Sequence, residues 1–155
     1  MDLSDLIEAK AILPALRANS KKQVLQLLSE KAAELTGLPE REVFDTILQR
    51  ERLGSTGVGN GIAIPHGKLN GVNKITGVFA RLENPVEFEA LDDQPVDLVF
   101  LLLAPESAGA DHLKALSRIA RVLRDSGTVE KIRATGDAAA IHSFLSEPPT
   151  TSHAA

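Results

Sequence analysis

Val96-Asp97-Leu98-Val99-Phe100-Leu101-Leu102-Leu103-Ala104 is the stretch that decides the fold of this 155-residue chain. A strand with one face in water alternates apolar with polar side chains, and from Leu98 to Leu103 no such alternation exists. A run that is apolar on both faces belongs in the middle of a sheet, with a layer of helices against each side. Crossing a bilayer as a helix takes roughly 20 apolar residues, so the run is far too short to span a membrane. It ends at Pro105 and is preceded by the turn Asp92-Asp93-Gln94-Pro95. Before that, Ile75 to Leu82 reads as a second strand, closed by an Asn84-Pro85 turn.

The helices that should cover this sheet lie on both sides of it in sequence. Ala9 to Leu16 is an extended segment with Pro14 marking an edge. A helix then starts at Ser20, with Ser20 and Gln23 in capping-box spacing, Val24, Leu27, Leu28 and Leu35 on one face, and Gly37 as its stop. Pro39 opens the next helix at its first position; Val43, Ile47 and Leu48 face the core, and the helix ends near Arg52. Beyond the central strand, Asp111 is a candidate cap for a helix carrying Leu113, Leu116, Ala120 and Leu123. Helices over about Thr128 to Ala134 and Asp137 to Leu145 complete a domain spanning residues 1–145, and residues 146–155 are expected to form a disordered tail. The expectation is a single α/β domain with a mixed central sheet flanked by helices on both faces.

Composition narrows the function. With 43% hydrophobic and 25% charged residues the chain is an ordinary globular domain, and with no cysteine it has no disulfide scaffold. The N-terminal residues have no basic and apolar leader, which points to the cytoplasm. A net charge of −4 without a long basic run offers no footprint for nucleic acid. Five phenylalanines and no Trp or Tyr leave little to stack on bases or sugars, so a site here works through polar groups and backbone.

The polar group that stands out is His66, in Gly61-Ile62-Ala63-Ile64-Pro65-His66-Gly67-Lys68. An apolar run stopping at Pro-His-Gly reads as a strand that presents an imidazole at its tip, with Gly67 supplying an unusual backbone conformation. Imidazole can be a nucleophile, a base or a metal ligand near neutral pH. Just before it, Gly54-Ser55-Thr56-Gly57-Val58-Gly59-Asn60-Gly61 has the composition of a backbone N–H concavity for an anion such as phosphate. It is neither a dinucleotide fingerprint, which needs strand-to-helix order, nor a Walker A loop. Two further residues converge on this chemistry. His112 lies in the first turn of the helix that follows the central strand, where anions collect in open α/β sheets. Arg50 continues the Val43 and Ile47 face of its helix toward the core side, and its planar fork suits phosphate oxygens. Each also has a plain structural reading, His112 packing the helix start and Arg50 offsetting the helix dipole.

The stretch Arg50 to Lys68 resembles the active-site signature of the enzyme IIA domains of the bacterial phosphotransferase system, fructose/mannitol class, and within it the nitrogen-regulatory members. Supporting similarity runs over roughly Leu3 to Leu145, including Gln94 to Phe100 and Asp111-His112-Leu113. The resemblance implies that His66 accepts a phosphoryl group on its tele nitrogen, that His112 is a second active-site histidine, and that Arg50 neutralises the transferred group. Ser55, Thr56, Asn60 and Gly67 would bind phosphate. No cofactor and no metal are implied. The implied partners are an HPr-type phosphocarrier donor and regulated proteins such as those of potassium transport or stress response, with neither nucleic acid nor membrane insertion. A sugar-specific IIA component passing phosphate to a IIB domain is the alternative within the family. A small metal-binding domain built on His66 and His112 is the alternative outside it, weakened by the absence of a spaced third ligand.

Overall fold

The computed structural model describes residues 2–147. Its elements run β1 (Ile12–Leu16), α1 (Lys21–Thr36), α2 (Glu40–Leu53), β2 (Gly57–Gly59), β3 (Ile62–Ala63), β4 (His66–Leu69), β5 (Thr76–Val86), β6 (Val96–Pro105), α3 (Ala110–Arg124), α4 (Ser126–Arg133) and α5 (Ala138–Ser146), with short 3-10 turns at Leu3–Asp5 and Ala9–Ala11. The strands form one six-stranded mixed sheet in the order β1-β5-β6-β3-β2, with β4 also paired to β6. β6 is central: it is antiparallel to β5 on one side and parallel to β3 and β4 on the other.

Period-two alternation along β6 divides its side chains between two cores. Leu98, Phe100 and Leu102 join Ala115, Ile119, Val122, Ile132 and Ile141 of α3, α4 and α5. Val99, Leu101 and Leu103 join Val24, Leu25, Leu28, Val43 and Ile47 of α1 and α2. Every β6 side chain from Leu98 to Ala104 is at most 1% exposed, as two-sided coverage demands. Each such leucine contributes roughly 1.5–3 kcal/mol of hydrophobic burial.

Local signals are met with informative shifts. Ser20 caps α1 by accepting the Gln23 N–H at 3.1 Å, but the Gln23 amide oxygen reaches back to the Asn19 N–H, one residue before the cap. The buried face of α1 takes Leu25 rather than Leu27. Pro39 is the N-cap of α2, one place earlier than its sequence position suggested. Gly109, at φ +53°, caps α3, so Asp111 falls inside the first turn and Leu113 turns outward while His112 and Ala115 turn in. Asn84-Pro85 does not end β5. The strand continues to Val86 through an irregularity between Arg81 and Val86, where proline's missing N–H leaves no ladder bond unmet. At the C-terminus Ser146 belongs to α5 and its hydroxyl bonds to the His142 carbonyl; residues 148–155 of the expected tail lie outside the described residues.

Two glycines give opposite tests of this packing. A Cβ on Gly77 would stand 2.6 Å from the buried Phe100 ring and 3.2 Å from the Leu6 carbonyl oxygen. Gly77→Ala is expected to lose about 1–3 kcal/mol by overpacking. At Gly127, in α4, a Cβ meets open space, and Gly127→Ala is expected to gain about 0.4–1 kcal/mol. Urea unfolding of both variants checks the pair; equal stabilities would mean that the sheet yields at Phe100.

Candidate active site

The strand that carries His66 is interrupted, and the interruption sets the site. β3 pairs Ile62 with Leu98 of β6, and β4 pairs His66 with Leu102, an advance of the same number of residues on both strands. No register is lost across Ile64-Pro65. Proline cannot donate to the ladder, but its carbonyl accepts the Leu102 N–H at 2.9 Å. Alternation therefore persists through the break. Ile62 and Ile64 face the α3–α5 core, as His66 must, whereas Ala63 and Leu69 face α1 and α2, as Gly67 must. His66 accordingly opens β4 rather than ending a strand at a turn. Gly67 is not among the positive-φ glycines. Its missing side chain serves close approach instead, since a Cβ there would come within 2.9 Å of Thr46 Cγ2 and 3.3 Å of Ile47 Cδ1 on α2.

His66 lies against the carboxyl-terminal half of β6, where α3 begins, and His112 comes to it from the first turn of that helix. The two ring centroids are 5.5 Å apart at an interplanar angle of 53°. His66 Nδ1 is 2.9 Å from the Ile64 carbonyl oxygen. A carbonyl only accepts, so Nδ1 carries the proton and Nε2 has the lone pair. Burial holds the His66 pKa below its ordinary value, with the Arg50 charge acting in the same direction and the Ile64 carbonyl and Glu51 opposing. His112 is buried, and its Nδ1 has no hydrogen-bond partner. Burial lowers its pKa too, followed by repulsion from His66 and Lys68.

Both imidazoles border an open cleft of about 600 Å³ whose lining includes Arg50, Arg52, Leu53, Gly67 and Lys68. Three cations and no carboxylate line it, the electrostatics of a place for an anion. Arg50 donates from Nη1 to the Gly54 carbonyl at 2.9 Å, which ties its side chain to the loop that follows α2. Arg52 was not singled out from the sequence, although it stands within the signature that marked His66.

The glycine-rich stretch has a different job from the cradle suggested by its composition. Asn60 and Gly61, at φ +57° and +80°, are the two-residue connection of a β2–β3 hairpin, of the Asn-Gly type that I′ turns favour. Ser55 accepts from the Gly57 N–H and donates to the Phe88 carbonyl, and Thr56 gives its N–H and hydroxyl to Glu51. The Asn60 N–H goes to Asp92, and its carbonyl accepts from Arg133, itself paired with Asp97 at 2.9 Å. Ser55, Thr56 and Asn60 thus stay out of the cleft, and only Gly67 of the expected phosphate-binding set lines it. Among the described residues no group of three or more His, Asp or Glu is arranged to hold a metal ion. Nor is any helix among them long and apolar enough to cross a membrane.

The chain is similar to known proteins over most of its length. The chain is 64% identical over 151 residues to a nitrogen regulatory protein of Bradyrhizobium diazoefficiens, covering 97% of this chain and 99% of that one. The crystal structure of the nitrogen regulatory protein IIA-Ntr from Neisseria meningitidis superposes with a TM-score of 0.88 at 34% identity, over 92% of this chain and 98% of that chain. The crystal structure of IIA mannitol from Escherichia coli gives 0.75 at 25% identity, over 89% and 97%. Residues 5–147 match the family described as phosphoenolpyruvate-dependent sugar phosphotransferase system, EIIA 2, and the chain belongs to that family.

Proposed function

We propose that the phosphoryl group carried by this nitrogen-regulatory IIA protein is bonded to Nε2 of His66. The observation that carries the reading is the Nδ1–H bond to the Ile64 carbonyl, which leaves Nε2 as the nucleophilic nitrogen on the cleft. The Nε2 lone pair attacks the phosphorus of a phosphohistidine on an HPr-type donor. A new N–P bond forms, the donor's N–P bond breaks with its electron pair returning to the donor ring, and the proton stays on Nδ1. Such a transfer needs placement and charge neutralisation more than bond-making help from the protein.

The neighbours fit those needs. Arg50, with Arg52 and Lys68, offsets the charge of the transferred group. His112, with its orphaned Nδ1 enclosed, keeps its proton on Nε2, because a buried unpaired N–H is the costlier orphan. That Nε2–H is the donor to a phosphoryl oxygen. At the cleft, Leu53 is 85% exposed, an apolar group on which a partner protein can dock. Similarity to nitrogen regulatory proteins supports a regulatory output in the cytoplasm, with targets of the potassium-transport or stress-response kind distinguishing the phosphorylated from the free form. The likeness to IIA mannitol keeps a second reading, delivery to a IIB domain of a sugar transporter. Incubation of the phosphorylated protein with fructose and mannitol IIB domains separates the two, since rapid transfer would favour the sugar route.

His66→Ala is expected to abolish phosphorylation by a phosphorylated HPr-type donor. His142→Ala should leave it intact, because His142 bonds through Nε2 to the Ile7 carbonyl and does not line the cleft; His153 lies outside the described residues. Acid-labile phosphate retained in His66→Ala overturns the assignment.

The rate of acceptance should fall with acidification only below the ordinary histidine value of 6.5, because the reactive ring is the neutral one and its pKa is depressed. Removing the Arg50 charge in Arg50→Gln favours the protonated ring, so the inflection moves up. The same change slows transfer at its plateau by about 10²–10³, as does His112→Ala. Rate measurements across pH decide this; a wild-type profile in folded Arg50→Gln would make that arginine structural only.

A further inference from the structure

Glu51 is a carboxylate in the core, 6% exposed, at the seam between α1, α2 and the β2–β3 hairpin. Its Oε2 accepts the Thr56 N–H at 2.9 Å and lies 2.9 Å from Lys21 Nζ, while Oε1 accepts the Thr56 hydroxyl. A buried ion pair of this kind is poor value for stability, since apolar groups of the same volume often serve as well. What it does hold is Thr56. The Thr56 carbonyl in turn accepts the Ile64 N–H at 3.0 Å, and the Ile64 carbonyl accepts the Nδ1–H of His66 at 2.9 Å. Ile64 lies in the gap between β3 and β4, followed by a proline that has no N–H, so the Thr56 carbonyl is what anchors its amide.

We propose that Glu51, fixed by Lys21, is a positioning residue for His66, acting through Thr56 and Ile64 to set the tautomer and orientation of the ring. The inference rests on His66 being the phosphoryl acceptor, and assigns to the buried pair a part in its reactivity. Two bonds from one carboxylate fix both the backbone and the side chain of Thr56, which leaves little freedom to the strand that Thr56 holds. A loose Ile64 carbonyl would let the Nε2–H tautomer compete, and that form has its lone pair on the wrong nitrogen for the cleft. Electrostatics add to the mechanical effect. The charged and titratable groups about His66 are Arg50, Glu51 and Arg52 from α2, Lys68 on its own strand and His112 from α3. Glu51 is the anion of the set, and opposes the effect of Arg50 on the ring.

The test uses the full chain with ¹⁵N-labelled histidine, in the wild type and in Glu51→Gln, Thr56→Val and Thr56→Ser. The imidazole nitrogen shifts of His66 report its tautomer and titration midpoint, and a phosphorylated HPr-type donor reports the transfer rate. Glu51→Gln should lower the midpoint, bring the Nε2–H tautomer into view and slow transfer by roughly ten- to a hundredfold, as losses of supporting hydrogen bonds do at other sites. Thr56→Val, lacking only the hydroxyl, should fall between, and Thr56→Ser, which keeps both bonds, should match the wild type. If Glu51→Gln does not fold, the Thr56 pair still decides. An unchanged tautomer in Thr56→Val, or an unchanged tautomer and midpoint in folded Glu51→Gln, overturns the proposal even if transfer slows. A shifted tautomer in a protein whose wild type takes no phosphate leaves the positioning intact and removes the phosphoryl-acceptor reading instead.

Discussion

The organisation of this protein depends on β6 being buried on both faces. A strand with helices on each side cannot be an edge, so it must find ladder partners left and right, and the chain supplies β5 on one side and the broken strand β3–β4 on the other. The parallel pairing of β4 with β6 has a chemical consequence. It brings His66 level with Leu102, near the end of β6 where the chain leaves the sheet for α3. The histidine that would otherwise be one of many surface groups is thereby placed against the first turn of a helix and beside the second histidine.

The break at Pro65 then gives a strand position an imidazole whose Nε2 is left unbonded by the backbone, as the proposed phosphoryl acceptor requires. In an uninterrupted strand the Ile64 carbonyl would be expected to serve the ladder; here it takes the imidazole N–H of the residue two places on. Holding the ring through one nitrogen frees the other, and this selection is enforced by backbone geometry rather than by a second side chain. Burial acts in the same direction. A half-enclosed imidazole next to Arg50 resists protonation, so the tautomer fixed by Ile64 is also the charge state that persists at neutral pH.

How much of this could be read from sequence follows from which forces are local. The two-sided apolar run gave β6 and both helical layers, because hydrophobic periodicity reports burial directly. His66, His112 and Arg50 were also legible as a set, and the structure brings all three to one cleft. Where the glycine-rich stretch sends its backbone groups was not legible, although its Asn60-Gly61 pair is a hairpin signal in its own right; composition suggested open amides, and tertiary partners Glu51, Asp92 and Arg133 determine where they go. Gly67 was identified as special for the wrong reason, since nothing in the sequence says that Thr46 packs over it. Glu51 was invisible as a buried charge because its partners, Lys21 and Thr56, meet it only after α1 folds onto α2. Leu113 and Leu27 failed as core residues because helix rotation is set by the sheet face, not by apolar content alone.

If His66 is the phosphoryl acceptor as proposed, it is built on paired strands rather than on a free loop, and is suited to signal by charge rather than by movement. Arg50, Arg52 and Lys68 give the cleft three formal positive charges. A phosphoryl group adds about −1.5 to −2, roughly half or more of that total. The sign of the field changes little, yet its strength at a docking partner changes greatly, and the added bulk would occupy the cleft beside the exposed Leu53. A partner that presents a carboxylate to these cations loses attraction when His66 is modified, while one that presents a cation gains it. Discrimination by tenfold needs only about 1.4 kcal/mol between the two forms. That difference lies within reach of a charge of this size at a partly desolvated interface, so the fold need supply no second conformation in order to be read as a switch.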